Sequence, residues 1–235
     1  MGPCYFGGMN EEALSRLHYE LVRGLVEDGV CPSNSALALR MDGENVEGLM
    51  RGLSDIHGVV LHPHVCEPWV LHPFSLTPTL NWVEGEKKNW WAPCVWCALG
   101  VAAVVGGRVK VHTRFGAEGE ALVIEVVDGQ VVGGEGIWVH FAIPPAKAWN
   151  NVHQHCSLVL PFHSPEEIAD WCERHGVAMG EPVPLRQVMD LARVWYGSHA
   201  SPTWRKWSVA EAQEIFERVG LRSEFWRLQS RAGKF

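Results

Sequence analysis

Three cysteines and two histidines in two short stretches carry the clearest chemical signal in the chain. Cys94 and Cys97 lie in Trp90-Trp91-Ala92-Pro93-Cys94-Val95-Trp96-Cys97-Ala98-Leu99-Gly100, and Cys156 closes His153-Gln154-His155-Cys156. Thiolate and imidazole together suit a soft metal. A single CxxC is ambiguous between metal binding, disulfide exchange and a buried inert pair. The Pro/Trp-rich run before Cys94 is not an evident strand, so the βαβ context of a thioredoxin-like motif is missing. A four-thiolate zinc site would need a second CxxC, and the sequence has none. What remains is a two- or three-thiol site at a helix N-terminus, where the helix dipole favours the thiolate. Cys156, placed before a strand, is as easily a core residue. His153 and His155, two apart in an extended segment, would point the same way and join Cys94, Cys97 and Cys156 as candidate metal ligands. His62, His64 and Cys66 form a weaker alternation of the same kind. Cys4, Cys31 and Cys172 have no companions and read as structural.

These residues need elements to position them. A helix is expected from Pro93 or Cys94 to Val105, with Pro93 near its first turn and Gly106-Gly107 as its stop. Strands are expected at Val109–Thr113, Ala121–Val127, Val131-Val132 and Ile137–Ile143, with Asp128-Gly129 as a hairpin turn. Ser157–Phe162 reads as a further strand. Ser164-Pro165-Glu166-Glu167 opens a helix running to about Arg174, and two more helices fall near 184–197 and 208–218. Upstream, Leu14, Leu17, Leu21 and Leu25 repeat at helical spacing over residues 11–28. Shorter helices follow from Ser33 to Arg40 and from Glu44 to Ile56. Val59–Leu61 and Pro68–Leu71 then look like two strands. Three helices and a hairpin is the order of a winged helix. Segment 72–92, with its prolines and charges, reads as a linker. The expected fold class is therefore α/β (α+β): a helical winged-helix-like N-terminal domain over 1–78, then a mostly antiparallel sheet flanked by helices over 79–235.

Composition excludes several classes of protein. The 235 residues are 47% hydrophobic and 20% charged, as in a folded globular chain. A net charge of −7, with four acidic residues around Arg51 on the third helix, argues against a nucleic-acid partner. The longest apolar run, Cys97 to Gly107, is far below the roughly 20 residues that span a bilayer. The beginning, Met1-Gly2-Pro3-Cys4, has no basic-then-apolar pattern, and the expected location is the cytoplasm. Seven cysteines, an odd number, point to free thiols and not a disulfide framework. Twelve tryptophans are many for this length. Those near the cysteines (Trp82, Trp90, Trp91 and Trp96) either pack in the core or wall a dry pocket, and a dry pocket would strengthen electrostatics inside it.

In these motifs the chain resembles the alkylmercury (organomercurial) lyases. That family carries a Trp-Cys-Ala-Leu-Asp segment continuing through a small-and-apolar helix to Gly-Arg, which is similar to the stretch through Leu99 and on to Gly107-Arg108. Its second cysteine precedes a strand ending in aromatic-x-Ser and then an acidic helix with a Trp. The counterparts here are Cys156, Phe162-His163-Ser164, Glu166, Glu167 and Trp171. The resemblance spans roughly residues 11–197, and Ser198 to Phe235 looks like an extension.

The resemblance implies an enzyme that cleaves a carbon–mercury bond by thiolate coordination and protonolysis, with no cofactor required. In the register preferred here Cys94 and Cys156 are the mercury ligands. Cys97 then stands where the family has an aspartate that helps deliver the proton to carbon. A thiol can supply that proton, since its ordinary pKa is about 8.5. A register shifted by three would make Cys97 the first ligand and leave Gly100 in the acid's place, with no side chain. His153, His155 and Glu84 are other acids to consider. The implied partners are a small-molecule organometal substrate, and small thiols or a mercuric-ion acceptor protein. A reading of another class is a non-lyase descendant that holds copper, zinc or haem through the same Cys/His set, as sensor, carrier or enzyme of other chemistry. A transcription regulator built on the winged-helix-like part is the third. Trp204, Trp207 and Trp226 in the extension would cover the pocket or form an interface.

Overall fold

The computed structural model describes residues 10–228. Three helices come first: α1 (Glu11–Asp28), α2 (Asn34–Arg40) and α3 (Val46–Asp55). Each starts at a side chain that accepts a backbone N–H of the first turn, from Asn10, Ser33 and Asn45 respectively, which satisfies one otherwise orphaned donor per helix. α1 buries Leu14, Leu17, Leu21 and Leu25 along one face, as its spacing requires, and Gly29 ends it in the left-handed conformation.

Eleven strands follow among the described residues: β1 (Val60–Leu61), β2 (Pro68–Leu71), β3 (Phe74–Ser75), β4 (Asn81–Glu84), β5 (Asn89–Ala92), β6 (Arg108–Arg114), β7 (Ala121–Val127), β8 (Gln130–Val132), β9 (Trp138–Phe141), β10 (Val159–Phe162) and β11 (Glu181–Pro184). Between them and after them lie α4 (Val95–Val105), α5 (Val152–Ser157), α6 (Pro165–His175), α7 (Leu185–Tyr196) and α8 (Val209–Arg218). The first eight strands make one sheet in the order β1-β2-β3-β5-β4-β6-β7-β8, and the rest make a second in the order β10-β9-β11. Every pairing is antiparallel. The mixed fold of helices and antiparallel sheet is therefore as expected. The β1–β2 hairpin is continuous with the large sheet through β3, which pairs with β5 at Ser75 and Trp91.

The segment 72–92 is not a linker. It holds β3, β4 and β5, strands of two to four residues, with Pro73 and Pro78 outside the strands and Glu86, Lys87 and Lys88 in the turn between β4 and β5. Residues 152–157 are helical and not extended, and Pro93 directly precedes Cys94, the N-cap of α4.

The core explains where α4 must go. In β6 and β7 one face alternates inward, pairing Val109 with Val126 and Val111 with Ile124. α4 is apolar all round, and Val95 to Ala102 are all buried. It is sandwiched between that sheet face and α7, whose Leu185, Val188, Leu191 and Ala192 join the same core. Each buried Val or Leu side chain contributes about 1.5–3 kcal/mol, so the position of α4 is strongly fixed. No helix among the described residues is long and apolar enough to cross a membrane.

Candidate active site

Cys94 is the N-cap of α4. Its sulfur accepts the backbone N–H of Cys97 at 3.3 Å. Cys97, one turn on, lies 3.5 Å from the hydroxyl of Tyr196, the last residue of α7. Cys156 comes from α5 and lies 3.7 Å from Nε2 of His72, which follows β2. The ligand atoms of His72, Cys97 and Cys156 all fall within 4.8 Å of one another. Among the described residues no other group of three His, Cys, Asp or Glu side chains could hold one ion. The three cysteines are 1%, 1% and 7% exposed in chain order and none is in a disulfide.

Electrostatics divides the three thiols. Burial pushes the Cys94 thiol up, but hydrogen bonds from the Cys156 and Cys97 thiols and from the Cys97 N–H, with the field of His155, outweigh it. Cys94 therefore sits well below the ordinary thiol range. Burial pushes Cys97 well above that range, and the neighbouring Cys94 charge adds to it. Cys156 is raised by bonding to Cys94 and Cys97 as well as by burial. Burial and the nearby sulfurs likewise raise the Tyr196 phenol well above its usual value.

A cavity opens onto this cluster. Cys97, Cys156, His72 and Tyr196 line it, and Trp96, Trp149, Trp195 and Trp204 are part of its apolar wall. Cys94 does not line it. A second, wider recess carrying Thr77, Thr79, Asn81 and Ser157 also reaches His72 and Cys156.

The structure thus brings Cys94, Cys97 and Cys156 together, and it separates the two histidines. On a helix, residues two apart diverge by about 200°. His155 is buried and lines the cavity, whereas His153 is exposed and lies against Trp69, 4.8 Å between ring centres. Glu84 is on β4, bonded to His112 at 2.8 Å, and is not in the cavity wall. His62, His64 and Cys66 sit in the β1–β2 turn without converging on one point; the His64 N–H bonds to Nδ1 of His62, and Cys66 faces the Glu47 carbonyl. Cys172 lies in a small separate core, 3.9 Å from His140, and Cys4 lies outside the described residues. Of the tryptophans near the CxxC only Trp96 reaches the cavity; Trp82 and Trp91 pack on each other and Trp90 donates to the Leu25 carbonyl. From the extension, Trp204 lines the cavity, Trp207 packs on Trp195, and Trp226 is buried against Phe141 and Phe216. His72, Tyr196 and Lys206 are cavity residues that no local spacing reveals, since each meets the cysteines only through the tertiary fold.

A thiol-lined apolar cavity at a helix N-terminus, in a helix-plus-antiparallel-sheet fold, defines a class of soft-metal-handling protein. The chain belongs to the alkylmercury lyase family: the model for MerB, alkylmercury lyase, matches residues 74–197, more than half of the chain. In shape it is similar to a crystal structure of the mercury-bound form of MerB2, with a TM-score of 0.64 and 18% sequence identity, covering 82% of this chain and 93% of that one. At that identity the likeness shows the shared fold. No curated protein matches the chain by sequence. Family membership supports an alkylmercury-lyase-like function; copper, zinc and haem find no support in the family or in the structural neighbour.

Proposed function

We propose that the protein cleaves the carbon–mercury bond of organomercurials, with mercury held by Cys97 and Cys156. The observation that carries this reading is the convergence of those two sulfurs on one apolar cavity, within 4.8 Å of each other, inside the segment matched by the lyase family. The cavity lining favours the register in which Cys97, and not Cys94, is the first ligand.

Each group then has a task. The Cys94 thiolate takes the Cys156 proton as the Cys156 sulfur displaces the original ligand of R–Hg–X, and X leaves as an anion. Cys97 next binds the mercury. Its thiol proton passes to the Tyr196 oxygen as the Tyr196 hydroxyl proton passes to the leaving carbon, so the hydrocarbon R–H departs and Tyr196 is restored. The proton transferred to carbon comes ultimately from Cys97. The products are R–H, X⁻, a neutral Cys94 thiol and a mercuric ion bridging Cys97 and Cys156. Apolar walls exclude water and strengthen the field of each charge inside. The wider recess gives small thiols a path to Cys156, through which the mercuric ion leaves.

The test is a single turnover. Reduced protein mixed with one equivalent of phenylmercury, without added thiol, is expected to yield one benzene and one protein-bound mercuric ion per chain. Capture of phenylmercury with no benzene overturns the proposal.

A further inference from the structure

Lys206 belongs to the segment joining α7 and α8, beyond the residues matched by the family model, and the reaction just described does not use it. Lys206 lines the cavity that holds Cys97 and Cys156. It donates to the His57 carbonyl at 3.3 Å and sits 5.0 Å from the centre of the Trp149 ring. Trp149 also meets His72, 5.7 Å between ring centres, and His72 meets Cys156, so one aromatic wall runs from the amine to the thiols.

Among the described residues the amine has no acidic partner: burial alone moves it, pulling its pKa down to about 7. The titratable groups whose fields meet it are His57, His18, His72 and His199, and burial holds each of them below the ordinary imidazole range. Below pH 7 Lys206 is therefore the cation in this wall. An ammonium without a counter-ion in an apolar wall is costly, and Lys206 lines the cavity a substrate must occupy.

We infer that Lys206 forms a carboxylate subsite, so that the preferred substrates are arylmercury compounds bearing an anionic group on the organic half. The inference rests on the lyase reading for the word substrate, and it is tested by capture, which precedes any bond cleavage.

Rates of mercurial capture by the reduced full-length protein are followed by stopped-flow tryptophan fluorescence. The probes are 3- and 4-mercuribenzoate and the methyl esters of both. At pH 6 at least one acid is expected to be captured about tenfold faster than its ester, as one charge-assisted contact allows. The ratio should fall toward one as the pH rises to 9 and the amine loses its proton; thiol ionisation affects acid and ester alike and cancels. Lys206→Met should abolish the preference and Lys206→Arg should retain it. Ratios near one for both acids, a ratio flat with pH in the wild type, or an undiminished ratio in folded Lys206→Met would each overturn the subsite. If Lys206→Met does not fold, the wild-type pH series decides. Hydrocarbon release is measured in parallel. Preference without release keeps the subsite and sinks the lyase reading, whereas release without preference sinks the subsite alone.

Discussion

The ring of Tyr196 occupies the space into which a side chain at position 100 would project. A Cβ on Gly100 would fall inside the van der Waals envelope of that ring and 2.9 Å from Pro73 Cβ. Gly100 is three residues after Cys97, one helical turn on, so its bare backbone lets the phenol reach the Cys97 sulfur. The chain that lacks a carboxylate at this turn has a hydroxyl from another helix there.

Tyr196→Phe keeps the ring packing and removes the proton donor. Benzene release is expected to fall about 100-fold or more, the usual scale for loss of a positioned acid, while capture of phenylmercury stays near the wild-type rate. Stopped-flow capture and gas-chromatographic release separate the two steps. Equal loss in both would assign Tyr196 to binding.

Gly100→Ala should be the harsher change. The methyl forces the Tyr196 ring or α4 to shift in a packed core, at about 1–3 kcal/mol, and it breaks the contact with Cys97. The expected result is a lower urea midpoint together with loss of release. A variant as stable and active as wild type would show that the Tyr196 contact is dispensable.

Cys94 governs the pH dependence of capture. Its pKa lies below the ordinary thiol range, so wild-type capture should hold steady through neutral pH and fall only in acid, as the thiolate is protonated. In Cys94→Ser the bonding and charge of Cys94 no longer raise Cys97 and Cys156, but burial still does, so capture should quicken with rising pH where the wild type stays level. Capture rates from pH 5 to 10 check this, and superimposable profiles would contradict it.

Lys206 links stability to pH. Its pKa is about 7 in the folded protein and about 10.4 in an unfolded chain. Between these values the unfolded state binds the extra proton, so stability rises with pH across the window. Urea midpoints of the wild type should therefore gain on those of Lys206→Met from pH 7 to 10. A constant difference between the two proteins would contradict the buried, unpaired amine.

Much of this arrangement is legible in the sequence where local rules are strong. α4 is bounded by a capping Cys94 and by Gly106, and its unbroken apolar run marks a helix buried on all sides. Ser164-Pro165-Glu166-Glu167 reads directly as a helix start because cap, proline and acidic first turn agree. β3, β4 and β5 escape because strands this short leave too few residues for alternation to show, and their turns carry the prolines that suggest a linker. β11 holds Pro182 and Pro184, tolerated because it is an edge strand pairing only with β9. α5 is a six-residue helix that local spacing presents as extended, with His153 and His155 on one side. Of the site, the three sulfurs are legible as a set. The partners His72, Tyr196 and Lys206 are not, because long-range packing of β2, α7 and the α7–α8 segment brings them to the cavity.

The account is tested most directly by benzene release from phenylmercury in excess small thiol, run side by side on the wild type, Cys97→Ser and Cys156→Ser. The prediction is many turnovers for the wild type and none for either variant, with both variants folded. Release that persists in Cys156→Ser or Cys97→Ser, or its absence from the wild type, would contradict a lyase that holds mercury between these two sulfurs.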